Sequence, residues 1–325
     1  MKSYFMKGLC LMFSLMTFCS CKQSENKEQP KYIVDVQAHR GGMGLLPANT
    51  LEAMKNAVDL NVNTLEMDIV VTKDKKVILS HDKFFTEETT RPDGSHVKKE
   101  DPREYIWKMT YEEIAKYDVG MRRLPNYPEQ KNIPTVKPLL SDVLSFIEKY
   151  TEEKGMAPMK YNVEIKADPN WNGGIEGVDW PVYNEMVDIC VEVLQSFHLG
   201  ERLIVQTFDE RALAYMHEKY PELHLAYLVG GDEVRWLENR DMDFDAILGN
   251  IGFVPEWFSP ASVFVTKSNV EEAHRRGMKV VTWTVDNKDD MTKMIDAGVD
   301  AIISNYPNRL LDVVKQYEAQ TAESR

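Results

Sequence analysis

The sequence has few cysteines, no excess of positive charge and only a short apolar run at its N-terminus. Of 325 residues 4 are cysteine, and 39 Lys and Arg stand against 52 Asp and Glu, which gives a net charge of -13. Proteins that gather nucleic acid or anionic lipid by long-range electrostatics need a basic surface. The composition therefore argues against a nucleic-acid partner, and a phosphate ligand would need local cations or a metal ion.

The first 20 residues have the features of an export signal. Two lysines, Lys2 and Lys7, precede an apolar stretch over residues 9–18. That stretch is too short to span a bilayer and suits the core of a signal peptide. An uncleaved signal anchor and ordinary signal cleavage are the alternatives to lipoprotein processing.

Cys21 is the expected lipid-attachment site. It follows the small residue Ser20, so the region resembles a bacterial lipoprotein signal in which Cys21 becomes the acylated first residue of the mature chain. We expect residues 1–20 to be removed and residues 21–31 to form a polar tether. The mature protein is then exported and anchored to a membrane, in the periplasm or on the cell surface.

Cysteine usage leaves no disulfide inside the folded domain. Cys10 and Cys19 lie in the predicted signal and Cys21 would carry lipid, so Cys190 alone remains. Cys190 lies on a helical pattern of apolar residues, which predicts a buried core thiol rather than a nucleophile.

The body of the chain is long enough for one large domain or two small ones, and 43% of the sequence is hydrophobic. β-Branched runs alternate with amphipathic helical patterns, which predicts βα units and an α/β barrel of the TIM (β/α)8 type over residues 32–318, followed by a polar tail over 319–325. Candidate strands are 33–38, 64–71, 77–80, 161–165, 203–207, 224–228, 246–248, 280–285 and 301–303. Candidate helices are 50–60, 139–150, 182–197, 210–219, 269–276 and 288–296.

Three features depart from a regular barrel. The second and third candidate strands are separated by five residues, 72–76, too few for a helical crossover, so one of them leaves the parallel pattern. The segment 83–138 is predicted to be a small insertion after the third candidate strand. The loop 168–181, which contains Trp171 and Trp180, follows a strand end and is a candidate lid.

Polar residues stand where several apolar strands end. On the second strand, period two places Glu66 and Asp68 on one face, and burying two carboxylates there is unfavourable unless a cation lies between them. With Glu164 on the fourth strand they form an oxygen-rich set suited to one divalent cation, Ca²⁺ or Mg²⁺.

Around such an ion, two cations and two histidines complete a site for phosphoester cleavage. Arg40 and Lys166 can hold phosphate oxygens, the first by paired hydrogen bonds and the second as a point charge. His39 and His81 are placed as general base and general acid, because imidazole exchanges protons near neutral pH.

The same residues belong to a longer set of motifs in fixed order. From about residue 32 to 315 this set resembles the glycerophosphodiester phosphodiesterase family. The motifs are His39-Arg40-Gly41-Gly42, Leu46-Pro47-Ala48-Asn49-Thr50, Glu66-Met67-Asp68, Thr72-Lys73-Asp74, His81-Asp82, Asn162-Val163-Glu164-Ile165-Lys166 and Trp283-Thr284-Val285.

The resemblance implies a TIM barrel and hydrolysis of glycerophosphodiesters to sn-glycerol 3-phosphate and an alcohol. It further implies a metal ion held by Glu66, Asp68 and Glu164, with His39 and His81 exchanging protons. In the family's mechanism the glycerol 2-hydroxyl attacks phosphorus and water then opens the cyclic phosphate.

Two positions depart from the family pattern. Ala48 stands where the Pro-x-Asn-Thr motif usually has Glu, so one polar contact near the site is absent. Ser304-Asn305-Tyr306-Pro307 replaces a usual Thr-Asp-x-Pro. Neither change removes an inferred ligand or acid/base residue, but the shape of the phosphate or glycerol pocket is affected.

Trp283 and Phe208 are further candidates, each as an apolar wall for glycerol carbons or as an ordinary core aromatic. The remaining histidines are expected to be surface residues or satisfied core residues: His96, His198, His217, His224 and His274.

Two other functions compete with glycerophosphodiester hydrolysis. A phospholipase D-like enzyme of the same superfamily would act on intact or lyso-phospholipids, and a broad exposed aromatic surface in the 168–181 loop would favour it. A catalytically silent lipoprotein that binds phosphorylated ligands would have lost a site residue. The leaving alcohol and the oligomeric state are left open.

Overall fold

Eight parallel strands close into a barrel in the part of the chain that the structure, a computed structural model, describes. β1 (Asp35–Ala38) pairs with β2 (Thr64–Val71) on one side and with β9 (Ala301–Ser304) on the other, which closes the ring. The others are β4 (Lys160–Ile165), β5 (Leu203–Thr207), β6 (His224–Val229), β7 (Trp257–Pro260) and β8 (Lys279–Thr282). Flanking helices make this the predicted TIM barrel. The described residues are 31–122, 125–167, 182–230 and 242–323.

Helices connect successive strands along the outside of the barrel. In the described ranges, no helix is long and apolar enough to cross a membrane. The last helix continues to Glu323, so residues 319–323 of the predicted tail are helical. The helices are α1 (Leu51–Asp59), α2 (Tyr111–Ile114), α3 (Leu140–Lys154), α4 (Tyr183–Gln195), α5 (Glu210–Lys219), α6 (Phe244–Ile251), α7 (Lys267–Arg275), α8 (Lys288–Ala297) and α9 (Pro307–Glu323).

β3 (Val77–Leu79) runs antiparallel to β2 and lies outside the ring. The departure predicted from the short 72–76 connection is therefore confirmed. Over its described residues, 83–122 and 125–138, the insertion that follows has one turn of 3₁₀ helix at Ile106–Lys108 and the short α2. In α2 the Thr110 hydroxyl and the Glu113 carboxylate each accept the other's backbone N–H, which fixes its start.

The predicted strand at 246–248 is wrong. These residues lie inside α6, whose first turn is capped by the Asp243 carboxylate and which ends at Gly252 in the left-handed conformation. The strand that completes the ring is β7, which the sequence pattern missed. It has four residues and includes serine and proline, so it lacks the β-branched run that marks the other strands.

The barrel interior has a polar half and an apolar half. Strands β1, β2, β4 and β5 bury Gln37, Glu66, Asp68, Asn162, Glu164 and Gln206. A separate cluster, set apart from the core beneath the helices, contains Ile204, Ala226, Trp257, Val281, Ala301 and Ile303, with Trp283 packed against it. The apolar cluster packs one half of the barrel interior, and the polar half contains the side chains that can take part in a reaction.

The turn after β1 depends on Gly41. Gly41 has φ of +80°, and a Cβ added there would lie 2.8 Å from Ala53 and Met54. We expect Gly41→Ala to lower the free energy of unfolding by about 2–5 kcal/mol, because left-handed strain and overpacking combine. Gly277→Ala is the matched control, since Gly277 has φ of +86° and nothing within 4 Å. Equal losses in urea denaturation would contradict the steric account.

Candidate active site

Three buried carboxylates meet inside the polar half of the barrel. Glu66 and Asp68 alternate along β2, and the parallel register pairs Asp68 with Glu164 on β4. One oxygen of each residue lies within 4.8 Å of the others. Burial of several negative charges is strongly unfavourable unless cations balance them.

Arg40 and Lys166 supply part of the positive charge that balances these carboxylates. Arg40 Nε lies 3.0 Å from Asp68 Oδ2, and Lys166 Nζ lies 2.6 Å from Glu164 Oε1 and 3.7 Å from Asp68 Oδ1. Burial favours the neutral acid, but the charges of Arg40 and Lys166 hold the pKa of Asp68 below its usual range. Glu66 has its pKa raised by burial and by the Asp68 charge.

The acidic triad can hold a divalent cation. Two side-chain cations against three carboxylates leave one net negative charge if all are ionised. A divalent ion would turn this into one positive charge, which a single phosphodiester balances. Carboxylate oxygens are also the ligands that hard cations prefer, so the residues present fit Ca²⁺ or Mg²⁺.

Amide groups orient two of the three carboxylates. Asn49 donates from Nδ2 to Asp68 Oδ2 at 2.8 Å and accepts the Asp68 N–H at 3.1 Å. Gln206 Nε2 donates to Glu66 Oε1 at 3.2 Å, and the Arg40 N–H donates to Glu66 Oε2 at 2.7 Å. Sequence reasoning missed Gln206. Gln206 is two residues after Ile204 on β5, so the two side chains share the face of the strand that points into the barrel, and that spacing was the available signal.

His39 lies beside the triad, with 15% of its side chain exposed. Its Nδ1 lies 2.5 Å from Asn305 Oδ1, and its Nε2 lies 4.0 Å from Glu66 Oε2. Burial and the neighbouring Arg40 charge lower its pKa to about 3, which keeps the ring neutral. A neutral imidazole keeps a lone pair on one nitrogen, which can accept a proton.

His81 lies nearer to solvent, with 38% of its side chain exposed. Its Nδ1 is 3.4 Å from Asp82 Oδ1, so a carboxylate faces this ring where an amide faces His39.

A cavity of about 150 Å³ joins these groups. Trp283 and Phe208 form its apolar wall with their rings edge to face at 5.4 Å, and Trp283 Nε1 donates to Ser259 O at 2.9 Å. Asp68 lies behind Arg40 rather than on the wall. The other predicted site residues all line the cavity: His39, Arg40, Glu66, His81, Glu164, Lys166, Phe208 and Trp283.

The remaining cysteine and histidine predictions agree with the structure where it describes them. Cys190 is fully buried, and burial raises the pKa of its thiol. His274 Nε2 meets Asp300 Oδ2 at 2.8 Å, and His217 stacks on Phe253 at the surface. Cys21 and the 168–181 loop with its two tryptophans lie outside the described residues.

Comparison with known proteins gives the family. The family model of the glycerophosphoryl diester phosphodiesterases matches residues 39–309. The chain belongs to this family. It is 28% identical over 283 residues to a glycerophosphodiester phosphodiesterase of Caldanaerobacter subterraneus, which covers 86% of this chain and 98% of the relative.

Solved structures of phosphodiesterases share the barrel. One from Silicibacter pomeroyi, which bears the family's name, has a TM-score of 0.76 and 26% identity, covering 90% of this chain and 97% of that one. A phosphodiesterase of Oleispira antarctica, solved in complex with the product sn-glycerol-3-phosphate, has a TM-score of 0.66 and 21% identity, covering 86% and 96%. As a member of the family that its sequence matches over residues 39–309, the chain is an enzyme that hydrolyses glycerophosphodiesters.

Proposed function

We propose that this enzyme releases sn-glycerol 3-phosphate and an alcohol, with His39 and His81 transferring protons and one divalent cation held by Glu66, Asp68 and Glu164. Two histidines, two side-chain cations and two carboxylates converge on one cavity, and the third carboxylate, Asp68, lies against Arg40; this convergence carries the proposal. Such a set can bind a phosphodiester, activate an attacking oxygen and protonate a leaving oxygen.

Arg40 and Lys166 bind the phosphate. Both line the cavity, and both already lie against the carboxylates, so their positions are fixed before substrate arrives. The guanidinium can donate to two phosphate oxygens, and the ammonium adds a second positive charge. A divalent cation on the triad would supply further charge neutralisation at the phosphate oxygens.

Proton transfer follows from the two imidazoles. His39 Nε2 takes the proton of the glycerol 2-hydroxyl as its oxygen attacks phosphorus, and His81 gives a proton to the departing alcohol oxygen. The products of this step are the alcohol and a cyclic glycerophosphate. In the second step His81 takes a proton from water, which opens the ring at phosphorus, and His39 returns its proton to the glycerol 2-oxygen.

The apolar wall supports a small substrate. Trp283 and Phe208 would pack against glycerol carbons, while the charged groups line other parts of the same cavity. A cavity of about 150 Å³ favours a glycerophosphoryl group over an acyl chain. The product bound in the Oleispira antarctica structure supports the same substrate class.

A substrate panel tests the proposal. The purified protein is incubated with glycerophosphocholine, glycerophosphoethanolamine, glycerophosphoinositol and lysophosphatidylcholine, with Ca²⁺ or Mg²⁺ or with a chelator, and glycerol 3-phosphate is measured. We expect release from the first three that stops when the cation is removed. Faster formation of lysophosphatidate would instead support phospholipase D-like action, and binding without turnover would support a silent receptor.

We also propose that the enzyme is exported and anchored through lipid on Cys21. The basic start, the short apolar stretch and the small residue before Cys21 support this location. Mass measurement of the mature N-terminus from the membrane fraction tests it, and an unmodified or uncleaved N-terminus would contradict it.

A further inference from the structure

A chain of hydrogen bonds connects His39 to Asp286 through Asn305. Asn305 directly follows β9, and Asp286 lies in the loop between β8 and α8, so both stand at the carboxyl end of the barrel. Asn305 Nδ2 donates to Asp286 Oδ2 at 2.7 Å, and its Oδ1 lies 2.5 Å from His39 Nδ1.

The direction of each bond is fixed by chemistry. A carboxylate only accepts, so the NH₂ end of the Asn305 amide must face Asp286 and the carbonyl oxygen must face His39. Asp286 Oδ1 also accepts the Asn305 backbone N–H at 2.9 Å and the Ser304 hydroxyl at 3.2 Å. These bonds hold Asp286 in place and prevent the Asn305 amide from flipping its oxygen and nitrogen.

An amide carbonyl oxygen only accepts, so the His39 Nδ1 in contact with it carries the proton. His39 Nε2 then keeps its lone pair and points toward Glu66 at the cavity. We propose that Asp286 and Asn305 are positioning residues that fix the Nδ1-protonated tautomer of His39, so that Nε2 is the atom that accepts the substrate proton. This inference rests on the proposed role of His39 as the base.

The arrangement makes a specific prediction about charge placement. In Asn305→Asp, two carboxylates would face each other where a 2.7 Å hydrogen bond now lies, so the orienting bond becomes a repulsion. In the exchanged variant Asp286→Asn/Asn305→Asp, the amide at 286 can donate to the carboxylate at 305. The oxygen of the new amide at 286 can still accept hydrogen bonds from the backbone N–H of residue 305 and from the Ser304 hydroxyl. The carboxylate at 305 accepts from His39 as the amide did.

Kinetics of these variants give the first test. We expect Asn305→Asp to lower kcat about 10- to 100-fold with KM changed less than about 3-fold. The substitution disturbs the orientation of the His39 ring, which transfers the proton, and leaves the groups that bind phosphate in place. The exchanged double variant should recover kcat to within about 3-fold of the wild type. Asn61→Asp is the matched control, since it adds the same charge at an exposed position outside the site.

Imidazole ¹⁵N NMR gives a second test that needs no turnover. The His39 signals are assigned by their loss in His39→Gln, and the wild-type protein is measured with chelator and with Ca²⁺. We expect a proton on Nδ1 in both states. A proton on Nε2, or an exchanged variant no more active than Asn305→Asp, would overturn the positioning role while leaving the proposed hydrolysis intact. Full activity in His39→Ala would instead remove the proposed function.

Discussion

Replacing either active-site histidine is expected to abolish most hydrolysis. His39→Ala and His81→Ala should each lower kcat about 10²–10⁴-fold, the usual size of a general acid or base contribution, with KM changed far less. The proposed phosphate contacts of Arg40 and Lys166 do not depend on either imidazole, since both cations lie against the carboxylates. Binding should therefore survive where proton transfer does not.

Steady-state kinetics on glycerophosphocholine measures this effect. His217→Ala is the control, because His217 is exposed on α5 and stacks on Phe253 away from the cavity. The double variant His39→Ala/His81→Ala should lose less than the product of the single losses if the two rings act in one proton-transfer sequence. Near wild-type kcat in either single variant would contradict the two-histidine mechanism.

Glu66→Gln should separate cation binding from folding. Because the pKa of Glu66 is raised by burial and by the Asp68 charge, the cation-free fold prefers a neutral side chain there. The folded state then holds a proton that the unfolded state loses, so wild-type stability falls as pH rises above the ordinary glutamate pKa. The glutamine side chain of the variant cannot ionise, so its stability does not fall with pH in this way. An amide is, however, a poorer ligand than a carboxylate for a hard cation.

Thermal unfolding with chelator and with Ca²⁺ or Mg²⁺ shows both effects. With chelator at neutral pH we expect Glu66→Gln to be at least as stable as the wild type, and the difference should shrink at acidic pH. Cation should raise the Tm of the wild type but not of the variant, and activity should fall at least about 100-fold. Glu271→Gln on the exposed surface of α7 is the control. An equal cation-induced rise in Glu66→Gln would remove this residue from the ion site.

Much of the site could be predicted because its residues follow local rules. Period two on β2 places Glu66 and Asp68 on one face, and parallel strands bring their carboxyl ends together, so Glu164 joins them from β4. The short connection after β2 likewise required an antiparallel β3. These inferences need only strand geometry and the cost of burying charge.

The parts that escaped prediction depend on contacts between distant segments. His39 and Asn305 are 266 residues apart, and no spacing in the sequence pairs them. Gln206 looked like an ordinary strand residue until the closed barrel brought it to Glu66. The error at 246–248 has a local cause, because a short apolar run fits a helix or a strand equally and only the Asp243 cap distinguishes them.

In the proposed reaction this site cleaves the bond between phosphorus and the departing alcohol oxygen. ³¹P NMR of glycerophosphocholine turnover in ¹⁸O-enriched water measures it directly. With Ca²⁺ or Mg²⁺ we expect the signal of sn-glycerol 3-phosphate, shifted by ¹⁸O on phosphorus, and no turnover when chelator replaces the cation. Formation of phosphocholine, or unchanged release of glycerol 3-phosphate in chelator, would contradict the account.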